Sequence, residues 1–300
     1  MYIFILNPKS GNAKALSKWS KLKPFLDDHQ LSYELHVCKN NEDTRKYMNE
    51  MIHRCHITAF VVIGGDGTIS SVIQQLSYTD IPLAVLPAGS GNDVSRNFNL
   101  VSEVHNFAHK LLENEKITID LLQVNGLYGV TVAGVGLDAM IGKRTDESFY
   151  KRLLNRINCG SFAYTIAAVI ELLQFKPFHG KLTIDGKMLL DSELWLIASG
   201  NVKMYGGGMP ICPSADPQDG WIQVTTLHNA RRLKVLTQLF PVLLQGKHIF
   251  QDEVLYAKGK ELTIQTDRPV SLVIDGEIFH TDNVVISMKQ KALQLIKTSY

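Results

Sequence analysis

The chain has 300 residues, of which 45% are hydrophobic and 20% charged. This composition excludes a disordered protein and fits one large domain or two of ordinary size. The net charge of +2 does not indicate nucleic-acid binding, which usually requires a clustered basic face. The four cysteines include no C-x-x-C pair, so we expect reduced thiols and a cytoplasmic protein. No apolar segment reaches the ~20 residues that a membrane-spanning helix needs.

Strand and helix patterns alternate through residues 1–121. Continuous apolar runs predict buried strands, and segments with one apolar face predict the helices between them. The predicted strands cover 2–6, 33–37, 59–63 and 83–86, and the predicted helices cover 10–29, 43–54 and 68–76. This order predicts a doubly wound α/β domain over residues 1–121, with ligands bound at the carboxyl ends of its parallel strands.

From residue 122 the pattern changes to short alternating runs. Asn125-Gly126, Asp185-Gly186 and Asp275-Gly276 are turn signals, and one helical stretch covers 160–175. The predicted strands are 181–184, 194–198, 221–225, 261–265, 270–274 and 283–288. The pattern predicts an antiparallel sandwich or barrel with inserted helices over residues 122–289.

Glycine-rich loops follow three of the predicted parallel strands: 7–14, 64–68 and 89–93. Glycines let backbone N–H groups approach a ligand closely, and the helix that follows adds its positive end, so each loop suits an anion. For a single loop the alternative is a tight turn with Asp66 as an N-cap. Because three loops at one sheet edge converge, we favour a metal-assisted nucleotide phosphate site, in which Asp66 holds Mg²⁺ or a water network.

The motifs in these loops carry a family resemblance. GGDGT at 64–68, LPAGSGND at 86–93 and NPKSG at 7–11 are followed by AGVGLDA at 133–139, GGGMPICPSADPQDG at 206–220 and IDGE at 274–277. The chain resembles the diacylglycerol kinase and sphingosine kinase superfamily, with the soluble bacterial lipid kinases most similar. GGDGT alone also occurs in NAD kinases and phosphofructokinases, whereas the full ordered set is specific. The resemblance implies a nucleotide domain of the NAD kinase and phosphofructokinase type, followed by a β-sandwich that binds lipid, with 290–300 returning to the first domain.

The resemblance also implies an ATP site formed by the three loops and one glutamate. Its residues are Asn7, Pro8, Lys9, Ser10, Gly11, Gly64, Gly65, Asp66, Gly67, Thr68, Ile69, Ser70, Ser90 and Glu277. A threonine that contacts nucleotide in the family falls on Cys38 here, which puts that contact in doubt.

Catalytic and metal residues follow from the same resemblance. Asp275 matches the general base, with Asp66 as the alternative. A structural Mg²⁺ would be bound by the carboxylate of Asp219 and the carbonyl oxygens of Asp216 and Trp221. A water network would link this metal to Asp66, Asp93 and Asp120. From the residues alone, Asp275-Gly276 and Asp219-Gly220 predict ordinary tight turns.

The sequence therefore predicts a two-domain kinase that transfers the γ-phosphate of ATP, with Mg²⁺, to a lipid hydroxyl, with diacylglycerol giving phosphatidic acid as the first expectation. The alternatives are an NAD kinase-like enzyme, which should show an Asn-Glu pair where this chain has Asn92-Asp93, and a catalytically silent lipid-binding relative. We expect peripheral contact with the inner membrane face and no nucleic acid, and the sequence leaves a homodimer open. The basic residues Lys143, Arg144, Lys151, Arg152 and Arg156 are either a solvated face or an attachment to anionic lipid.

Overall fold

The computed structural model describes residues 1–54, 56–137, 139–140, 170, 172–244 and 251–299. The chain forms two compact units. The first comprises Met1–Leu121 and the segment that begins at Gln290, and the second comprises Leu122–Lys289. Three features named from the sequence lie outside the described residues: most of the predicted helix 160–175, Asp138, and the five basic residues between 143 and 156 that were considered for lipid attachment.

The first unit is a parallel sheet with helices between its strands, as predicted. Its strands are β1 (Tyr2–Leu6), β2 (Tyr33–Val37), β3 (Ala59–Gly64) and β4 (Leu83–Pro87), and its helices are α1 (Lys14–Asp28), α2 (Asn41–Ile52), α3 (Asp66–Leu76), α4 (Asp93–Asn97) and α5 (Val104–Glu113). The spatial order is β4-β3-β1-β2. The last part of a long strand, β13 (Glu277–Ile296), joins this sheet parallel to β4, with Leu295 opposite Leu83.

The register of the parallel strands brings their carboxyl ends to one edge. Leu6 lies opposite both Val37 and Ile63, and Gly64 lies opposite Pro87. The residues of β1, β3 and β4 are all buried, which explains why these strands appear as unbroken apolar runs. Any side chain that follows one of these strands therefore begins from the same edge of the sheet.

Two helix starts differ from the prediction, and both differences lie in glycine loops. Helix α1 begins at Lys14 rather than at residue 10, because Gly11, Asn12 and Ala13 have φ values of 57°, 55° and 69°. That left-handed conformation cannot continue into a right-handed helix. Helix α3 begins at Asp66, two residues earlier than predicted, with Gly65 as its N-cap.

The second unit is an antiparallel assembly. Its strands are β5 (Lys116–Val124, which begins in the first unit), β6 (Leu127–Gly129), β7 (Val132–Gly136), β8 (Phe178–Ile184), β9 (Lys187–Gly200), β10 (Ile222–His228), β11 (Val254–Gly259), β12 (Glu261–Ile274) and β13 (Glu277–Ile296). Two short helices, α6 (Arg232–Lys234) and α7 (Phe240–Leu244), flank a π-helix at Val235–Leu239.

The strands of this unit are longer than their sequence patterns indicate. The predicted strands 261–265 and 270–274 are one strand, β12, whose register shifts between Gln265 and Val270. The first part of β9 pairs with β8, and its last part pairs with β7 and β10. Side chains from these strands form a separate apolar core.

The predicted order, an α/β domain followed by a β-rich domain, is confirmed. Among the described helices, none combines the length and the hydropathy needed to cross a bilayer.

Candidate active site

Close approaches between backbones bring the three glycine loops together. A Cβ atom placed on Gly11 would lie 2.1 Å from the carbonyl oxygen of Ala88, and one placed on Gly89 would lie 2.6 Å from the Cα of Gly65. A Cβ on Gly65 would also come within 4.0 Å of the Ser10 hydroxyl. Since real Cβ atoms do not tolerate the two shorter distances, glycine is required at both loop contacts. The predicted convergence of the loops is therefore confirmed.

Hydrogen bonds fix the loops in this arrangement. The Asn7 side-chain amide donates to the hydroxyl of Thr68 at 3.0 Å, which joins the first loop to the second. The backbone N–H of Ala88 donates to the carbonyl of Gly64 at 2.7 Å, which joins the third loop to the second. Asn92 closes the third loop by bonding both the N–H and the carbonyl of Gly89 at 2.9 Å. The loops form one connected structure at the edge of the sheet.

Asp66 does not cap its own helix. The N-cap of α3 is Gly65, which has no side chain to offer. Instead, Asp66 Oδ1 accepts the backbone N–H of Val94, at the start of α4, at 3.2 Å. The interpretation of Asp66 as the N-cap of α3 is therefore wrong. The N–H groups of the first turn of α3 receive no side-chain cap, which suits them to an anion.

Two carboxylates flank Gly91. A Cβ on Gly91 would lie 3.0 Å from Asp66 Oδ2 and 3.9 Å from Asp93 Oδ2, so both side chains approach the third loop from the same neighbourhood. Arg96 Nε lies 4.0 Å from Asp93 Oδ1. The third predicted member of the network, Asp120, is buried and accepts the backbone N–H of Lys291 at 2.7 Å. The water network that would join the three carboxylates stays a prediction.

The other residues predicted for the nucleotide site differ in exposure. Lys9, Gly67 and Ser90 are exposed, and Pro8 is half-buried. The side chains of Ile69 and Ser70 are only 2% and 4% exposed within α3, so they support the second loop rather than face solvent. Glu277 is half-buried at the start of β13, in the second unit.

Cys38 and Lys18, whose side chains lie close to the ends of strands, have shifted pKa values. Cys38 follows β2, and its N–H donates to the carbonyl of Leu6 at 2.8 Å. Burial raises the pKa of the Cys38 thiol, so it stays protonated near neutral pH. Lys18 Nζ donates to the carbonyls of Pro87 and Ser102 at 2.5 and 2.6 Å. Desolvation, aided by the charge of Lys14, lowers the pKa of Lys18 to about 8.

The Asp275-Gly276 pair forms the hairpin turn that the residues alone predict. The two residues have φ values of 45° and 88° and connect Ile274 to its partner Glu277. The carboxylate, however, points inward and is 9% exposed. Oδ2 accepts the N–H of Val130 at 2.8 Å, and Oδ1 accepts both the N–H and the hydroxyl of Thr131, at 3.1 and 2.5 Å. Three donors stabilise the ionised form, which is the form that a general base requires.

The turn between β6 and β7 is held from both sides. Asp275 accepts its N–H groups, while the Asn201 side chain donates to the carbonyl of Val130 at 2.9 Å and the Asn201 N–H donates to that of Thr131 at 2.9 Å. Sequence reasoning missed Thr131 and Asn201, which are far from Asp275 along the chain. The sequence offered one signal, for Thr131 alone, which lies two residues before the AGVGLDA motif at 133–139.

The predicted metal ligands of the second unit already have partners. Asp219 Oδ1 accepts the N–H of Trp221, and Asp219 Oδ2 accepts Lys258 Nζ, both at 2.9 Å. The carbonyl oxygen of Asp216 accepts the N–H of Asp219 at 3.3 Å. As arranged, these residues do not fit a cation, because the Lys258 ammonium occupies the carboxylate. Over the part of the chain that is described, no cluster of three or more His, Cys, Asp or Glu residues could hold a metal.

A cavity of about 400 Å³ lies in the second unit. Apolar side chains supply much of its wall, including Met140, Phe175, Phe178 and Val270. Ser271 adds a hydroxyl, which lies 3.3 Å from His280 Nδ1. Lys176 and Arg268 also line the cavity. Its volume falls within the roughly 300–1,000 Å³ of small-molecule sites, which are mostly apolar with a few polar groups.

Comparisons with known proteins agree with this arrangement. Residues 1–124 match the diacylglycerol kinase catalytic domain, and residues 131–297 match the YegS C-terminal NAD kinase beta sandwich-like domain. A diacylglycerol kinase of Mycobacterium tuberculosis is 33% identical over 246 residues, which cover 80% of this chain and 76% of the relative.

Solved structures share the fold. The structure of a diacylglycerol kinase from Bacillus anthracis has a TM-score of 0.72 at 20% identity and covers 98% of this chain and 96% of its own. An NAD kinase from Archaeoglobus fulgidus, solved in complex with ATP, has a TM-score of 0.56 at 12% identity, covering 99% of this chain and 94% of its own. At these identities the two structures show the fold alone.

Proposed function

The chain belongs to the diacylglycerol kinase-like family of lipid kinases, and we propose that it transfers the γ-phosphate of ATP to the free hydroxyl of diacylglycerol, giving phosphatidic acid. The observation that carries the nucleotide half of this proposal is the contact between Gly65 and Gly89, which joins two glycine loops at one sheet edge, where such loops suit an anion. Kinases of this family use ATP as co-substrate, and the diacylglycerol assignment rests on relatives with that name.

The loops would position the phosphates. Backbone N–H groups at the start of α3 and in the glycine loops would donate to phosphate oxygens. Asn7 and Thr68 would hold the first two loops at a fixed spacing, since their side chains bond each other. A divalent cation bound with the ATP would neutralise phosphate charge when present, and Asp66 and Asp93 are the carboxylates near the loops that could orient its water ligands.

Asp275 would act on the acceptor. Its carboxylate is positioned by three hydrogen bonds from Val130 and Thr131, and a positioned carboxylate can take the proton from an attacking hydroxyl. Asp66 is the alternative base. The acyl part of the lipid would occupy the cavity walled by Phe175, Phe178 and Val270, because burial of apolar chain surface against apolar walls is favourable.

An NAD kinase-like activity is the second candidate, favoured by the fold shared with the NAD kinase structure. Purified protein should be assayed with radiolabelled ATP against diacylglycerol in mixed micelles, other lipid alcohols, and NAD. Labelled phosphatidic acid is the expected product. Label in NADP would identify the second candidate, and label in no product would identify a silent relative.

Two matched variants make this assay specific to the site. Asp66→Asn removes a charge beside the third loop and should abolish most of the turnover. Asp80→Asn removes the charge of an exposed aspartate just before β4 and should leave turnover unchanged. Equal turnover of the two variants would contradict the assignment of the site.

A further inference from the structure

Two large apolar side chains of the second unit are strongly exposed. Leu233 on α6 is 73% exposed, and Leu173, in the helical residues 172–174, is 58% exposed. Both values are high for leucine in a unit whose apolar core buries Leu122, Leu182 and Leu194 completely. Single exposed leucines need no explanation, but a contiguous exposed apolar patch marks an interaction site.

Arg232 shows that the two leucines lie on neighbouring segments. Its guanidinium donates to the carbonyl oxygens of Leu172 and Phe175, the latter at 2.6 Å, and lies 5.3 Å from the ring centroid of Trp195. These carbonyls belong to a helix end, where backbone acceptors lack helical partners. Arg232 therefore fixes the helix that carries Leu173 against the short helix that carries Leu233.

Cations surround the same segments. Arg268 donates to the carbonyls of Lys176 and Pro177 at 2.7 and 3.0 Å, so its charge lies beside the residues that follow Leu173. Lys176, Arg268 and the Leu233 neighbour Arg231 are all exposed. Among the described residues, the acidic side chains alongside include Asp267, next to Arg268 and also exposed, and Glu253, whose carboxylate is paired with Lys234 at 2.5 Å. Glu193 is exposed as well, and its backbone carbonyl accepts the N–H of Asn229 at 2.9 Å, two residues before Arg231.

The patch is continuous with the cavity of the second unit. Lys176 and Arg268 line that cavity, as do Gln174 and Phe175 from the helix end that Arg232 holds. Exposed leucines next to exposed basic groups match the interface of an anionic bilayer, where apolar side chains enter the acyl boundary and cations meet phosphate headgroups.

We propose that Leu173 and Leu233, with Arg231, Lys176 and Arg268, form a docking surface for an anionic lipid bilayer, which places the cavity against the source of its lipid. The role of the cavity rests on the proposed function, but the docking of this surface on lipid does not. The basic residues between 143 and 156 lie outside the described residues and are not needed for this surface.

Vesicle co-sedimentation tests the proposal directly. The full chain should bind vesicles of phosphatidylcholine with phosphatidylglycerol, and binding should weaken as ionic strength rises, because salt screens the attraction. The double variant Leu173→Ser with Leu233→Ser should bind about tenfold more weakly, as expected when two large apolar side chains no longer enter the interface. Arg231→Gln should lower binding several-fold on anionic vesicles alone.

A control pair on the same unit is available. Lys187→Gln with Met188→Ser removes a cation and a side chain that is 62% exposed, both on β9, and should leave vesicle binding unchanged. Thermal melting of all variants should match the wild type, since the substituted side chains are exposed. Binding of the double leucine variant equal to that of the wild type would overturn the proposal, as would equal affinity of the wild type for neutral and anionic vesicles.

Kinase assays separate this proposal from the proposed function. With short-chain diacylglycerol in detergent micelles, the double leucine variant should turn over like the wild type, whereas with substrate in anionic vesicles its turnover should fall in parallel with binding. If the protein phosphorylates no lipid but the leucine variant still loses vesicle binding, the docking surface stands and the proposed function fails. If turnover on vesicles is unaffected by the leucine changes, the docking surface fails and the proposed function stands.

Discussion

Thr131 holds Asp275 through two hydrogen bonds to a single carboxylate oxygen, one from its backbone N–H at 3.1 Å and one from its hydroxyl at 2.5 Å. The two residues are 144 positions apart and both are buried. A charge-assisted bond of this kind is stronger than a neutral one, so the threonine hydroxyl fixes the direction of the carboxylate.

Replacing Thr131 by valine should therefore weaken both the fold and the proposed reaction. Valine keeps the shape but removes a donor to a charged acceptor, which costs about 1.5–3 kcal/mol. We expect a lower melting temperature and a lower kcat. Thr131→Ser keeps the hydroxyl and should restore most of kcat, even where it lowers stability through the lost methyl group. A serine variant as slow as the valine variant would show that the hydroxyl does not position Asp275.

Asp275→Asn tests the base itself. A positioned general base contributes about 10²–10⁴-fold to rate, so kcat at saturating lipid should fall by that order while nucleotide affinity changes little. If Asp66 is the base instead, Asp275→Asn should raise KM for lipid and leave kcat within about threefold, below the range for a general base.

The second Asp-Gly turn of the same unit provides the control for this substitution. Asp185 and Gly186 have φ values of 49° and 76°, and Asp185 Oδ1 accepts the N–H groups of Lys260 and Glu261, each at 2.9 Å. An asparagine at 185 can keep both bonds through its one carbonyl oxygen. An asparagine at 275 would present its carbonyl oxygen to the donors on one side and its NH₂ group to those on the other. Either Val130 or Thr131 would therefore lose its acceptor. Melting curves of both variants separate this structural loss from the catalytic one.

The sequence was sufficient to predict the parallel sheet and the glycine loops, because apolar runs and glycine positions are local signals. It could not predict that β12 is one strand, since three successive exposed residues, 267–269, break the alternation while the backbone continues. It likewise could not show what Asp275 and Asp219 bind. The partners Thr131 and Lys258 are brought to these carboxylates by strand pairing over long sequence separations, and no spacing pattern records such contacts.

Substitution by alanine should disrupt a loop contact at Gly89 but stabilise a helix at Gly67. A Cβ on Gly89 would lie 2.6 Å from the Cα of Gly65, whereas a Cβ on Gly67 meets nothing within 4 Å. Gly89→Ala should separate the second and third loops and weaken binding of a non-hydrolysable ATP analogue by about tenfold or more, as expected when a contact below van der Waals distance forces backbone to move. Gly67 lies inside α3, so alanine there should gain up to about 1 kcal/mol of helix stability. Analogue titration of both variants decides the matter, and equal affinities would argue against loop convergence at the nucleotide.

Lys18 should make stability depend on pH. Its pKa in the folded protein is lowered to about 8 from an ordinary 10.5, chiefly by desolvation. Between these values the unfolded chain binds the proton and the folded chain does not, so the free energy of unfolding rises with pH across this window. Lys18→Met removes the effect. The stability of the wild type relative to this variant should therefore increase from pH 8 to pH 10, measured by urea denaturation. A constant difference over that range would contradict the lowered pKa.

Lys258 should compete with a metal ion for Asp219, because its ammonium lies 2.9 Å from Oδ2. In the absence of nucleotide, Mg²⁺ should not change the melting temperature of the wild type. Lys258→Met should lose little stability by itself, since the pair is partly exposed and such pairs contribute about 0–1 kcal/mol. It also frees a carboxylate beside the Asp216 and Trp221 backbone. Added Mg²⁺ should then raise its melting temperature, because a ligand that binds only the folded state stabilises it. Adding Asp219→Asn should abolish this gain.

Lys260→Met is the matched control, since Lys260 lies over the Trp221 ring at 5.1 Å and does not occupy the carboxylate. If Mg²⁺ instead stabilises the wild type and Asp219→Asn removes that stabilisation, the metal displaces Lys258 and the ligands predicted from the sequence are correct.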